Sequence, residues 1–208
     1  MLRRHSIFLI VVWVLVGVLP ESISWGGIEA HMAFPVTMLD YSKDPINQKI
    51  KTLINENRNE ELREFLASSV NVNTADNKRV SPIHYAAYKG HVLAMRLLIQ
   101  RGANVWATVF GGWTALHYAA FGGHPEVADM LISMGVPVDV RDVGGESPLF
   151  YAIEGGHLPM ARWLIERGAN VRHPNNKNET PLKIGLESSD KEIANFFKTL
   201  DGKTSPKQ

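Results

Sequence analysis

A 33-residue period limits what this chain can fold into more than any other property. Equal steps build one unit against the next instead of folding around a single closed centre. Ser81-Pro82-Ile83-His84-Tyr85-Ala86 returns as Thr114-Ala115-Leu116-His117-Tyr118-Ala119, then as Ser147-Pro148-Leu149-Phe150-Tyr151-Ala152 and Thr180-Pro181-Leu182-Lys183-Ile184-Gly185, 33 residues apart each time. Gly90-His91, Gly123-His124 and Gly156-His157 keep that step. So do Leu97-Leu98-Ile99, Met130-Leu131-Ile132 and Trp163-Leu164-Ile165, which are followed by Gly102, Gly135 and Gly168.

Each recurring residue has a local reason. Ser81, Thr114, Ser147 and Thr180 carry the hydroxyl that a helix N-terminus prefers, because it accepts from the free N–H groups of the first turn. Pro82, Pro148 and Pro181 follow at the position where a missing N–H costs nothing. Gly90, Gly123 and Gly156 stand where such a helix must stop in a left-handed conformation. A second helix follows, with Val92, Met95, Leu98 and Ile99 on one face and Arg96 and Gln100 off it. Ala86-Ala87 and Ala119-Ala120 leave room for neighbouring helices to approach.

A stack of such pairs needs atypical ends. Ile50, Leu53, Ile54, Leu62, Phe65, Leu66 and Val72 match the apolar positions of the next unit without its Pro, His or Gly-His, which predicts a degenerate N-terminal cap. Ile184, Leu186, Ile193, Phe196 and Phe197 continue the pattern with Ser189-Asp190 in place of Gly-His, which predicts a C-terminal cap.

These residues resemble the ankyrin-repeat family, with its Thr-Pro-Leu-His-x-Ala start, central Gly-His and closing Leu-Leu-x-x-Gly-Ala-Asx-Val. The resemblance covers residues 44–200, in units 44–76, 77–109, 110–142, 143–175 and 176–200. It implies an all-α solenoid of antiparallel helix pairs with β-turn fingers, binding a protein partner through the fingers and the inner, concave helix faces. It also implies that the recurrent histidines link turn backbones and are not ligands or bases. The family's finger carries Asp-x-x-Gly. Asp142 and Gly145 keep it, Arg79 replaces the glycine after Asp76, and Val109 replaces the aspartate before Gly112. Trp106 replaces the small polar residue usual after Val105.

Composition narrows the function. A formal net charge of +1 without a polybasic run argues against nucleic acid as a partner. The absence of cysteine excludes disulfides, thiolate nucleophiles and lipid-acylated cysteine. No metalloprotease, calcium-loop, phosphate-loop or serine-hydrolase signature occurs. The expectation is therefore no catalytic residue, no metal, no cofactor and no small-molecule substrate. Arg3, Arg4 and His5 precede the apolar run Ile7–Leu19, 13 residues long, which suits a secretory leader better than a span of about 20 residues. Residues 1–24 read as a signal peptide cut before Trp25, or as an uncleaved signal-anchor; 25–43 read as a linker and 201–208 as a polar tail. The expected location is exported, periplasmic or secreted, with membrane contact only if the leader is kept.

The candidate binding residues follow from the repeat. Tyr88, Phe121 and Glu154 are equivalent positions near the end of the inner helix, while Lys78, Arg79, Phe110, Trp113 and Glu146 belong to the fingers. Tyr88, Phe110, Trp113 and Phe121 form either an interface patch or a packed shield over the helix ends. Trp163 is expected in the core, and Tyr85, Tyr118 and Tyr151 as packing residues. The expected activity is that of a monomeric, non-enzymatic scaffold; the alternatives are an accessory or inhibitor of a co-exported enzyme, or a secreted effector.

Overall fold

A computed structural model describes residues 44–204; the leader and the linker lie outside them. The described residues form ten helices in five antiparallel pairs: α1 (Pro45–Asn55) with α2 (Asn59–Ala67), α3 (Pro82–Tyr88) with α4 (Val92–Gln100), α5 (Ala115–Gly122) with α6 (Pro125–Ser133), α7 (Pro148–Glu154) with α8 (Leu158–Glu166), and α9 (Pro181–Leu186) with α10 (Lys191–Thr204). No strand occurs among them, and one isolated antiparallel bridge joins Thr108 to Thr114. None of the described helices is long and apolar enough to cross a membrane. The helix α10 continues to Thr204 and is tied down by Arg172 Nη2, 2.9 Å from Asp201 Oδ1. The stack therefore runs past Leu200, where the sequence placed the start of a polar tail.

The first helices of each pair pack closely along the stack, and the second helices stand further apart. Small residues set that difference: Ala86, Ala87, Ala115, Ala119, Ala120 and Ala152 are completely buried. Gly185 takes the place of Ala152 in the last unit, where a Cβ would lie 2.3 Å from the ring of Phe197, a bulkier residue at the buried position held by Leu98, Leu131 and Leu164 in the earlier units. Trp163, expected in the core, is only half-buried. The wider spacing of the second helices leaves one of its faces to the Arg167 guanidinium, 4.6 Å from the ring centroid.

Helix starts are more elaborate than hydroxyl caps. At Ser81 and Thr114 the histidine three residues on completes a capping box: His84 Nδ1 accepts from Ser81 N–H at 3.2 Å and His117 Nδ1 from Thr114 N–H at 3.1 Å. That contact leaves the proton on Nε2, which donates to Ala107 O at 2.9 Å from His84 and to Glu146 O at 3.2 Å from His117. Each ring thus ties its own helix to the next finger, as the family resemblance implies. Where Phe150 replaces the histidine, Ser147 makes no side-chain cap bond. His124 Nε2 reaches Tyr88 O at 2.9 Å and His91 Nε2 reaches Asn57 Oδ1 at 2.8 Å, again linking one unit to another.

The Gly-His glycines have two separate constraints. Gly123 and Gly156 both sit in the left-handed region, at φ +75 and +77. A Cβ on Gly123 would also lie 2.6 Å from the His157 ring, whereas a Cβ on Gly156 meets nothing within 4 Å. Gly156→Ala is expected to cost about 1 kcal/mol for backbone strain alone. Gly123→Ala adds roughly 1–3 kcal/mol of overpacking and a visibly larger fall in melting temperature. Equal falls would show that the ring contact carries no weight.

Candidate functional site

The fingers are built from four successive turns whose tips are residues 77–79, 110–112, 143–145 and 176–178. They are joined into one ridge by backbone bonds: Phe110 N–H donates to Lys78 O (3.1 Å), Val143 N–H to Gly111 O (2.9 Å) and Asn176 N–H to Gly144 O (2.9 Å). A turn acceptor holds three of the fingers. Asp76 Oδ1 accepts from Lys78 and Val80 N–H at 2.9 and 2.8 Å, Asp142 Oδ1 from Glu146 N–H at 2.8 Å, and Asn175 Oδ1 from Lys177 and Glu179 N–H at 2.9 and 3.0 Å. Gly112 and Gly145 take the left-handed corner at φ +83 and +75, and Arg79 takes it at φ +66, a strained conformation for a residue with a Cβ.

The first finger is anchored by a pair that the sequence did not announce. Lys51 occupies the position of the histidine in the repeat, and its Nζ lies 3.2 Å from Asp76 Oδ2, with the two side chains 5% and 2% exposed. Its ammonium also approaches Val80 O at 3.5 Å, doing for the N-terminal cap what His117 does in the central unit. Burial holds the amine below its ordinary pKa, against the opposing pull of Asp76. Only the meeting of position 51 with position 76 in space identifies this lysine, and nothing in its neighbours in sequence does so.

The structure divides the predicted aromatic patch in two. Trp113, Phe121 and Tyr88 form a ladder behind the tips, together with Tyr118 and Tyr151: the Trp113 ring is 4.1 Å from that of Tyr151, 5.5 Å from Tyr118 and 6.2 Å from Phe121, and Phe121 stacks on Tyr88 at 6.3 Å. Phe121 is buried, while Trp113 and Tyr88 are half-buried, with the Lys89 ammonium 5.7 Å from the Tyr88 centroid. Phe110 stands apart on the ridge, 66% exposed, and joins no other ring among the described residues. Its neighbour on the next tip is Val143, 74% exposed, which the sequence reading passed over. The signal was available, since Phe110 and Val143 are 33 residues apart in otherwise polar tip positions.

Glu146, at the base of the third finger, and Glu154, at the end of α7, are half-exposed. Glu146 is committed on both oxygens, accepting from Asn175 Nδ2 (2.9 Å) and from the Tyr151 hydroxyl (3.1 Å). Lys78 is half-buried and Arg79 exposed at the first tip. Trp106 acquires a physical account from its partner one unit on. Asn73 Oδ1 accepts from Asn104 N–H at 2.7 Å and Asp139 from Asn170 N–H at 3.1 Å, but the residue facing Trp106 in this scheme is Pro137, which has no N–H to bind. A polar residue at position 106 would have nothing to hold, and Trp106 stands 51% exposed beside Gly135.

The Val109 substitution has a consequence inside the ladder. The Tyr151 hydroxyl donates to Asp142 Oδ2 at 2.6 Å; the equivalent hydroxyl of Tyr118 finds Val109 and Trp113 where Tyr151 finds Asp142 and Glu146. It is buried without a hydrogen-bond partner among the described residues. Burial raises both phenols above the ordinary range, and the Asp142 bond adds to the rise at Tyr151. Tyr118→Phe is therefore expected to leave the melting temperature unchanged or raise it, and Tyr151→Phe to cost about 2 kcal/mol by removing a charge-assisted bond. Equal losses in thermal unfolding would mean that the Tyr118 hydroxyl has a partner, such as a bridging water.

Among the described residues no group of three or more His, Asp or Glu side chains is arranged to hold a metal ion. The histidines that could have suggested one are used in links between units, and burial holds those of His84 and His117 at a pKa of about 4. A ridge of turns over close-packed helix pairs offers a surface for a partner. Comparison with known families gives the same assignment: ankyrin repeats (many copies) match residues 83–132, and ankyrin repeats (3 copies) match residues 134–203. No curated protein matches the chain. With its period, helix pairs, linked fingers and two matching segments, this chain belongs to the ankyrin-repeat family, whose repeats are protein–protein interaction modules and whose members are typically non-enzymatic scaffolds.

Proposed function

We propose that this chain is an exported scaffold that binds one protein partner along its finger ridge and inner face. The observation that carries the reading is the pair of exposed apolar side chains, Phe110 and Val143, on adjacent central tips. Exposed apolar residues are ordinary one at a time. Here two stand on adjacent turns, where side chains gain least from the fold. Such a cluster has the composition of an interface centre with a polar rim. Lys78, Arg79, Glu146 and Glu154 supply that rim, and Tyr88 and the open edge of Trp113 extend the centre inward; Phe121 supports them from beneath.

The test is to substitute both tips. Phe110→Ser with Val143→Ser is expected to weaken binding of the natural partner at least about ten-fold, a loss of about 1.4 kcal/mol, while moving the melting temperature by less than that of Trp113→Ala. Partner binding that survives the double substitution would remove the ridge as the interface. Export rests on the leader, and the N-terminal residue of the recovered protein decides its form. Trp25 marks cleavage, whereas Met1 retained in the membrane fraction marks a tethered scaffold.

A further inference from the structure

From the composition of the finger ridge we infer that its partner is an extended segment bearing carboxylates on either side of two apolar residues. This rests on the ridge being the interface. The four tips read Asn77-Lys78-Arg79, Phe110-Gly111-Gly112, Val143-Gly144-Gly145 and Asn176-Lys177-Asn178. These twelve residues include three cations and no carboxylate. The cations sit on the outer tips and the exposed apolar side chains on the two inner ones, so the ridge runs basic, apolar, apolar, basic.

A second feature asks for an acceptor at the centre. In the first and last fingers the N–H two residues beyond the turn acceptor is held by Asp76 or Asn175. Val109 supplies no such oxygen, and Asp142 Oδ1 holds the Glu146 N–H instead. The Gly111 and Gly144 N–H groups, on exposed residues next to Phe110 and Val143, have no acceptor among the described residues. Gly111 and Gly144, exposed and without side chains, leave backbone uncovered beside Phe110 and Val143, which permits close approach of another main chain, while Gly112 packs on Val143 and Gly145 is buried against Asn176. Neighbouring tips follow the helix spacing of about 10 Å, which an extended segment in the polyproline-II conformation crosses in one turn of three residues at about 3.1 Å each, with every third side chain on the same face. The matching segment has carboxylates at its first and tenth positions and apolar residues at its fourth and seventh.

The probe is a fluorescein-labelled decapeptide with Asp at positions 1 and 10, Leu at 4 and 7 and Ser elsewhere, compared with its counterpart carrying Lys at 1 and 10. Binding is read by anisotropy against the intact chain at low and at about physiological salt. The acidic peptide is expected to bind about ten-fold tighter than the basic one, the sum of a few exposed charge pairs, with the preference shrinking as salt rises. Lys78→Glu, Arg79→Glu and Lys177→Glu together should abolish or reverse the preference while the protein keeps its helical circular dichroism. Phe110→Ser with Val143→Ser should remove binding of both peptides. Equal or better binding of the basic peptide that still requires Phe110 and Val143 overturns the acidic partner and leaves the ridge as an interface. Failure of the acidic peptide to bind, or binding that ignores the Phe110 and Val143 substitutions, overturns the inference. The ridge itself is then judged by the natural-partner test.

Discussion

Lowering the pH from about 6.5 to about 4 is expected to strip several kcal/mol from the stability of this protein, through His84 and His117. Both rings are fully buried, and burial lowers their pKa from 6.5 to about 4, with the nearby Lys51 charge adding to the effect at His84. Protonation would also turn Nδ1 from an acceptor into a donor facing the Ser81 or Thr114 N–H. The folded state therefore binds fewer protons than the unfolded chain, whose histidines titrate near 6.5. Its advantage is fully present above about pH 6.5 and is lost progressively as the pH falls toward 4. A displacement of that size corresponds to roughly 3 kcal/mol per histidine, since one pH unit is worth about 1.4 kcal/mol. Two such losses are a large part of the 5–15 kcal/mol typical of a domain. His124 and His157 are lowered too, by burial, and act in the same direction with a smaller effect because they are half-exposed.

The measurement is urea unfolding at several pH values between 7.5 and 4. His84→Gln with His117→Gln is the control, because glutamine at that position completes a capping box without titrating. The pH dependence in this window should largely disappear in the double variant. An unchanged slope would place the acid sensitivity in the carboxylates instead.

Trp113→Ala should cost about 3 kcal/mol in thermal or urea unfolding, the lower end of the range for a large aromatic residue, since the ring is only half-buried. Its losses are spread over two units. Tyr118 and Phe121 belong to its own helix pair, and Tyr151, at 4.1 Å, belongs to the next. In a linear stack the interface between neighbours is a direct part of the stability, so the whole array should soften. Phe110→Ala, three residues earlier in the chain, should shift the unfolding midpoint little because its ring has no such partners. A Trp113→Ala protein as stable as the parent would make the ladder a surface ornament and return Trp113 to the tip patch.

The contrast between Trp113 and Phe110 marks where sequence reading stopped. The use of the histidines was implied by the family resemblance; the period determined the helix pairs, the order of the units and the degenerate ends. The last three follow from rules acting within one unit or between equivalent positions 33 residues apart. The left-handed glycines were legible for the same reason, because Gly90, Gly123 and Gly156 recur at a place where a helix must end. The departures were visible as departures, but their meaning depended on a second residue. Val109 mattered because of the Tyr118 hydroxyl and Trp106 because of Pro137, while Lys51 did not stand out until Asp76 met it in space.

The candidate interface was legible in part. Phe110 and Trp113 were both large apolar residues beside a turn, and sequence had no means of telling the one that points out from the one that packs back. That choice was made by the neighbouring unit: Tyr151 provides a wall at position 113, and nothing provides one at position 110. What the sequence alone determined about this protein was its repeating helix pair and the caps that end it, because those are set by local backbone chemistry and periodicity. Which side chains close the stack and which face a partner was decided only by tertiary structure, because burial depends on the surface presented by the unit next door.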